Sequence, residues 1–461
     1  MEINSIKKFY DIEEEMEYKY KVLIYPNITF QKEFTKDSFY VIMSNILKHL
    51  TKLRPDTHFT ILTPKEMPGF MYDNVEQVIY DLPTYPNTMR CHFDTKKILE
   101  IIDWKNKEWD FVYTYLPEHT LALKNIFHNS TNIRPIFFGY SAYIEIPETT
   151  NYDMAMIKSH YSGILEMEKC GVNSQSVKNT IMKYAPEHLP EKDVKKLDTI
   201  IHSVPRGFDN IKTTKLDVQK DPKIIVFNHR ANAYKSYDWF IEQMDTLWKT
   251  RQDFKVWVPL ADNLPVSKSK EINDSRKMYM DIKSVNRENY FKKLSSCYVG
   301  VCGRSYHTGW ANSASDGMSV GVPYIFLNAD YYYEYAEEAG IYFTSNSEFQ
   351  EYINKILNDG SFRENFSHRS IEMYEKKQWS IAIHKYNEDF IYAENQLYKL
   401  REKSESYKRI VNLIKSRGYV SKYDILDYLG WGIRITYSPY RNLLRDEPNI
   451  KFCENGYEWI T

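Results

Sequence analysis

The run from Thr308 to Pro323 reads Thr-Gly-Trp-Ala-Asn-Ser-Ala-Ser-Asp-Gly-Met-Ser-Val-Gly-Val-Pro, a loop turning into a small-residue helix that carries one carboxylate, Asp316. An ionised carboxylate only accepts hydrogen bonds, so it suits a pair of neighbouring hydroxyls, and the start of a helix suits an anion. Upstream, Phe227-Asn228-His229-Arg230 follows directly on a strand-like run, with Lys235 shortly after. Arg230 offers a bidentate fork and Lys235 a point charge, two complementary ways to hold an anion that gains charge as a bond breaks. Arg304, His307 and Thr308 fall between the strand-like run at Tyr298 and the Asp316 helix, where side chains and backbone can also meet phosphate.

A second group of candidates lies nearer the N-terminus. Glu118-His119 follows the strand-like run at Phe111 and Glu145 follows the one at Pro135, and either position could supply a general base. The loop from Asn27 to Asp37 carries Lys32, Glu33, Lys36 and Asp37. Near the other end, Arg434, Tyr437, Ser438, Tyr440 and Arg441 line a short helix or its entry. Residues of these types contact phosphates and base edges when such a helix enters a major groove.

The elements that must hold these residues alternate. Strands are expected at Lys21–Tyr25, His58–Leu62, Val78–Tyr80, Phe111–Tyr115 and Pro135–Phe138, with helices at Ser38–Leu50, Thr95–Ile102 and His119–Ile126. After the polar segment Thr213–Lys223 a second series begins. Its strands are Ile224–Phe227, Phe254–Pro259, Tyr298–Cys302 and Tyr324–Leu327, and its helices Tyr237–Lys249 and Ala311–Val320. Such alternation predicts parallel sheets wrapped by helices, and two series predict a cleft between two doubly wound units. Ile371–Lys403 has no Gly or Pro and reads as one or two long helices.

Beyond Ser406 the pattern changes. Helices are expected at Tyr407–Ser416, closed by Gly418, at Lys422–Leu429 with Ser421 as its cap, and at Pro439–Arg445 with Ser438 as its cap. Ile450–Cys453 and Tyr457–Ile460, joined through Glu454-Asn455-Gly456, read as a hairpin. Three short helices followed by a hairpin is the order of a winged helix-turn-helix. From Ser406 onward nine Lys and Arg stand against six Asp and Glu, a modest basic excess.

At 461 residues the chain exceeds what one core usually organises. Its 43% hydrophobic and 27% charged residues are ordinary for a folded protein and exclude wholesale disorder. The longest apolar runs, such as Ile136–Phe138, fall far short of the roughly 20 residues that span a bilayer, and the opening residues lack a secretory stretch, so a cytoplasmic protein is expected. Cys91, Cys170, Cys297, Cys302 and Cys453 match neither a zinc site nor a redox pair and read as free thiols. A net charge of -1 leaves any polyanion contact to a local patch, and the 39 tyrosines are put down to base composition rather than function.

The order of residues in Thr308–Pro323 resembles the donor-site motif of GT-B glycosyltransferases, in which an acidic residue, a Gly-Phe-Gly-like loop, a second acidic residue, a small-residue helix and Gly-Val-Pro follow one another. Asp316 matches the second acidic residue, Gly309-Trp310 the Gly-aromatic pair, and Gly321 and Pro323 the close of the motif. Thr308 stands where the family has its first acidic residue, so contact with the donor sugar must pass through a hydroxyl or through His307. Arg230 and Lys235 look like the Arg/Lys pair that many GT-B enzymes present to the donor diphosphate. The resemblance spans Ile224–Thr344 and implies that Asp316 accepts hydrogen bonds from the ribose of a sugar nucleotide.

By that resemblance the fold is α/β, two Rossmann-like domains facing a cleft plus a small winged-helix-like module. The divisions are 1–210 for the acceptor, 211–403 for the donor with its crossover helices, and 404–461 for the module. Glu118, His119 and Glu145 then face the cleft as candidate bases. The co-substrate is a nucleotide-sugar, expected to be a UDP-sugar, with no metal ligands and no required cofactor, although a divalent cation can assist diphosphate release.

A sugar-transferring fold with a nucleic-acid-binding tail resembles the bacteriophage enzymes that modify a hydroxymethylated base, which makes double-stranded DNA the expected partner. Two other readings stay open. One is transfer to a surface polysaccharide, lipid or protein, and the other is a non-catalytic DNA-binding regulator on the same scaffold.

Overall fold

A computed structural model of the chain describes residues 18–26, 28, 37–80, 94–102, 109–128, 135–141, 154–208, 222–229, 231, 235–259, 287–303, 310–402, 405–428, 444, 447–453 and 456–460. Two parallel sheets and one small antiparallel sheet organise it. β1 (Tyr20–Tyr25), β2 (Thr57–Thr63), β3 (Val75–Ile79), β4 (Phe111–Thr114), β5 (Ile136–Ser141), β6 (Lys169–Val172) and β7 (Ile201–Ser203) form the first, in the order β3-β2-β1-β4-β5-β6-β7. β4 and β5 are buried at every position, the mark of central parallel strands covered on both faces. Gly139 is dictated by close approach, since a Cβ there would lie 2.1 Å from the Thr114 carbonyl oxygen of the neighbouring strand.

β8 (Lys223–Val226), β9 (Phe254–Trp257), β10 (Val299–Cys302), β11 (Tyr324–Leu327) and β12 (Gly340–Phe343) form the second sheet, in the order β12-β11-β10-β8-β9. The strand order reverses between β1 and β4 in one sheet and between β8 and β10 in the other. At such reversals the loops leaving neighbouring strands diverge and open a crevice at their carboxyl ends.

The carboxyl ends of the two sheets face each other. Helix Gln175–Tyr184, which follows β6, meets helix Asp330–Ala336, which follows β11, through the Glu334 carboxylate, which accepts from the Gln175 and Ser176 amides at 2.7 and 2.6 Å. An acid at a helix N-terminus is stabilised by the exposed amides there.

Two segments cross between the lobes. The Phe208 amide donates to the Lys377 carbonyl at 2.7 Å and the Trp379 amide to that of Phe208 at 3.2 Å. From there helix Trp379–Glu402 returns to the first sheet, where Trp379, Ile383, Tyr386, Phe390 and Leu397 enter its core at helical spacing. Phe390 stands edge-on to Phe138 of β5 at 4.7 Å.

The C-terminal residues have their own small core around Tyr407, Ile410, Ile414, Val420, Ile425 and Tyr457. Helix Glu405–Arg417 leads to β13 (Tyr419–Ser421), helix Lys422–Tyr428, β14 (Ile450–Cys453) and β15 (Gly456–Trp459), with sheet order β13-β15-β14. Ser421 caps its helix as expected, its amide and hydroxyl donating to Asp424 while the Asp424 amide donates back to its Oγ at 3.2 Å. Apart from the buried Leu444, the helix expected at Pro439–Arg445 lies outside the described residues, and so do Arg434, Tyr437, Ser438, Tyr440 and Arg441.

Several expectations are corrected. The strand expected at Val78–Tyr80 is the end of β3, and the helix expected from His119 opens as a tight turn, Pro117–His119, before Thr120–His128. β6, β7, β12 and helix Asn346–Asn358 were not anticipated. Among the described residues, no helix is long and apolar enough to cross a membrane.

Candidate functional site

The reversal between β8 and β10 gathers the residues of the second lobe that carry chemistry. Asn228, just past β8, is fully buried. Its Nδ2 donates to the Tyr290 hydroxyl at 2.9 Å and to the Ser313 carbonyl at 2.5 Å, while its Oδ1 accepts from the Tyr324 hydroxyl at 2.9 Å. One amide thus ties the β8 loop to helix Arg287–Ser295, to β11 and to the first turn of helix Asn312–Ser319.

That last helix carries Asp316. Its N-cap, Ala311, supplies no side-chain hydrogen bond, so its first amides have no side-chain acceptor from the cap. At its other end Gly321 adopts φ 76°, a left-handed conformation that favours glycine, and the Val322 amide donates back to the Gly317 carbonyl at 2.9 Å. The ring of Tyr324 fills the gap between this helix and β10, where a Cβ on Gly317 would approach its hydroxyl to 2.2 Å and one on Gly300 its ring to 2.3 Å. The Gly-Val-Pro signature is therefore the geometry of a helix exit that sets the helix against the sheet.

The Asp316 side chain is 15% exposed and lies 3.8 Å from the Arg287 guanidinium. Tyr290 lies against it, and burial first, then the Asp316 charge, raise the Tyr290 pKa, keeping the phenol protonated. A partly open carboxylate, flanked by a phenol and a guanidinium, is poised to accept from hydroxyls.

On the other side of Asn228, His229 Nε2 meets the Cys302 thiol at 2.8 Å and pins the end of β8 to the end of β10. Burial, reinforced by the charge of Lys235, lowers the His229 pKa to about 3, and burial raises that of Cys302, so both are neutral at pH 7. The Lys235 charge acts on both groups. Arg230, Arg304, His307, Thr308 and Gly309 lie outside the described residues. Trp310 is buried, edge-on to Tyr335 at 4.6 Å and Phe208 at 5.8 Å.

The buried neutral His229 predicts a pH dependence of stability. The unfolded chain takes up a proton near pH 6.5 that the folded state refuses until about 3, so this contribution is complete above 6.5 and erodes as pH falls towards 3. At pH 5 the loss is about 2 kcal/mol. Unfolding free energies from urea titrations at pH 7.5 and 5.0 should differ by that much more in the native chain than in His229→Asn, and an equal difference would contradict it.

In the first lobe, Glu118 and His119 sit in the turn after β4, beside the β1/β4 reversal. His119 Nδ1 is 3.0 Å from the Tyr25 hydroxyl at the end of β1, and burial raises the Tyr25 pKa, so the phenol stays protonated. Glu118 has no exposed side-chain surface and points inward, its Oε2 3.7 Å from His160 Nδ1, while His160 Nε2 meets the Ser141 hydroxyl at 3.0 Å. The order Ser141, His160, Glu118 has the form of a nucleophilic relay, but all three are buried. In this structure Glu118 contacts protein groups, not the cleft, and the turn is held by Gly163, whose Cβ would lie 1.6 Å from the Pro117 carbonyl oxygen. Glu145 lies outside the described residues.

Asp37, which the sequence left among the loop charges, caps helix Ser38–Leu53 by accepting from the Phe39 and Tyr40 amides at 2.8 and 3.3 Å. The residue that sequence reasoning quoted without assigning is Asn228, whose signal was an amide placed directly after a buried strand. The tyrosines, put down to base composition, supply hydroxyls that brace both crevices. Among the described residues, no three His, Cys, Asp or Glu gather where a metal ion could be held.

Residues 209–373 match the family model described as glycosyl transferases group 1. None of the curated proteins matches the chain. Solved structures do. Sucrose-phosphate synthase from Thermosynechococcus elongatus aligns with a TM-score of 0.60 at 12% identity, over 82% of this chain and 99% of its own. A glycosyltransferase from Rickettsia africae aligns at 0.59 and 14%, over 81% and 98%. Anabaena HepE, in complex with UDP and glucose, aligns at 0.57 and 10%, over 81% and 99%. Two parallel sheets meeting across a cleft give this chain the GT-B fold, and the segment over the second sheet carries the sequence pattern of group 1 glycosyl transferases.

Proposed function

We propose that the chain transfers a hexose or pentose from a UDP-sugar, bound at the β8/β10 crevice, to a hydroxymethylated base in DNA. The observation that carries the donor half is the arrangement around Asn228, which sets a partly open carboxylate, a helix start without a side-chain cap and the charge of a lysine at one strand reversal. Asp316 accepts from the ribose diol. The first amides of helix Asn312–Ser319, with Lys235 and Arg230, take up the negative charge that grows on the nucleoside diphosphate as the glycosidic bond breaks. HepE, whose solved complexes contain UDP and UDP-glucose, supports uridine as the nucleoside.

The acceptor enters from the first lobe. His119, buried beside the Tyr25 hydroxyl in the turn after β4, acts as a positioning residue on the acceptor side, while Glu118 holds the turn from behind through His160. Support for DNA comes from residues 404–461, whose helix, strand, helix and three-stranded antiparallel sheet follow the order of a winged helix. Arg434, Tyr437, Ser438, Tyr440 and Arg441 would provide its contacts. On this reading 1–210, 211–403 and 404–461 are acceptor, donor and docking units.

In a mobility-shift assay at low salt, full-length protein should retard a 30-base-pair duplex, with binding falling steeply as salt rises. No retardation, together with transfer from UDP-glucose to a saccharide or lipid acceptor, would replace DNA by that acceptor and leave the donor assignment intact.

A further inference from the structure

A second opening lies between the lobes and beside the two crossing segments, and its wall shares Trp310 and Tyr335 with the surroundings of the Asp316 helix. It is a cavity of about 230 Å³ bounded by the loop after β7, by helix Asp330–Ala336, and by the junction of helices Gly360–Lys376 and Trp379–Glu402. Arg206 forms part of its wall and is only 7% exposed. The guanidinium lies over the Tyr140 ring at 5.9 Å. Among the described residues no carboxylate pairs with it, and its Nε has no hydrogen-bond partner. A second buried donor of the same wall, Trp310 Nε1, is also without a partner.

The acid in this lining is turned towards backbone amides and makes no ion pair with Arg206. Glu334 accepts from the two amides that open helix Gln175–Tyr184. Lys377 adds a cation, donating to the Glu334 and Tyr335 carbonyls and pairing with Glu337 at 2.7 Å, and Lys376 and Lys385 line the same cavity. Taking a guanidinium out of water without an opposite charge costs several kcal/mol, and buried cations in folded proteins are paired or bind something. An unsatisfied buried donor calls for an ion, a water or a ligand.

We infer that this cavity is a binding site for a small phosphate-bearing molecule, with Arg206 as its anchor and Lys376 and Lys385 at its mouth. A guanidinium fork matches phosphate oxygens in bidentate fashion, and the room beyond it accommodates a short carbon chain on the phosphate. The wall draws on both lobes, so the occupant bridges them where the chain crosses. The site depends on neither the donor's identity nor the acceptor's.

The test uses the full-length chain with saturating UDP, which fills the donor crevice, titrated calorimetrically with inorganic phosphate, with glycerol 3-phosphate and with neutral glycerol. Both phosphates should bind saturably and glycerol should not. Tighter binding of glycerol 3-phosphate identifies a phosphomonoester, and equal binding identifies free phosphate. Arg206→Gln should weaken either at least tenfold, with Arg206→Lys intermediate. Lys376→Gln, an exposed change that leaves folding intact, should weaken it a few-fold and decides the matter if Arg206→Gln does not fold. Absence of saturable phosphate binding, or affinity unchanged in these variants, overturns the site. If UDP still binds in that case, the glycosyltransferase reading is untouched.

Discussion

Asp316→Ala should lower the affinity for UDP about 100-fold while leaving the protein folded. Hydrogen bonds to a charged group contribute about 1.5–3 kcal/mol each, and a ribose diol makes two of them, so even the low end reaches about 3 kcal/mol. The stability cost is small. The carboxylate is partly exposed and its ion pair with the half-exposed Arg287 spans 3.8 Å, a geometry worth under about 1 kcal/mol. Removing it also takes an acceptor from the buried Tyr290 hydroxyl, which keeps its bond from Asn228 at 2.9 Å. Asp316→Asn keeps one acceptor in nearly the same place and should fall between the two. Titration with UDP checks the affinities and thermal unfolding checks the fold; a wild-type affinity in the alanine variant would remove the donor assignment.

Gly163→Ala should have the largest effect on the fold itself. The new Cβ would lie 1.6 Å from the Pro117 carbonyl oxygen and 2.5 Å from its carbon. Backbone cannot yield as a side-chain tip can, so either helix Met154–Leu165 or the Pro117–His119 turn must shift. The expected loss exceeds about 3 kcal/mol, and transfer activity should fall further than stability because the same turn orients His119. Gly360→Ala serves as the control, since a Cβ there meets nothing within 4 Å. That change should be neutral or stabilising by up to about 1 kcal/mol. Urea unfolding of both variants measures the contrast, and a Gly163→Ala protein within about 1 kcal/mol of the native chain would contradict it.

The parts of the molecule readable from residues alone are those where local chemistry dictates the backbone. Gly321 and Pro323 announce a helix exit because left-handed φ favours glycine and because proline ends a helix, and Asp316 is legible as the carboxylate on that helix. β4 and β5 are legible because strands buried on both faces must be continuously apolar.

What was missed lacked a local signature. β6 opens with a lysine and contains a glycine, β7 is three residues long with a histidine at its centre, and each is a strand only because its neighbours complete the ladder. Asp37 resembles any loop charge until a helix begins behind it. Glu118 looks like a strand-end acid facing solvent, yet packing of Gly163 on Pro117 turns it inward towards His160. Arg206 carries no pattern at all, because its lack of a counter-charge among the described residues is a property of the folded neighbourhood.

The role of the β8/β10 crevice is tested most directly by an experimental structure with UDP bound. The account predicts both ribose hydroxyls within hydrogen-bond distance of the Asp316 carboxylate, with the diphosphate at the first turn of helix Asn312–Ser319 beside Lys235. A nucleotide seated elsewhere, with neither ribose hydroxyl near Asp316, would contradict it.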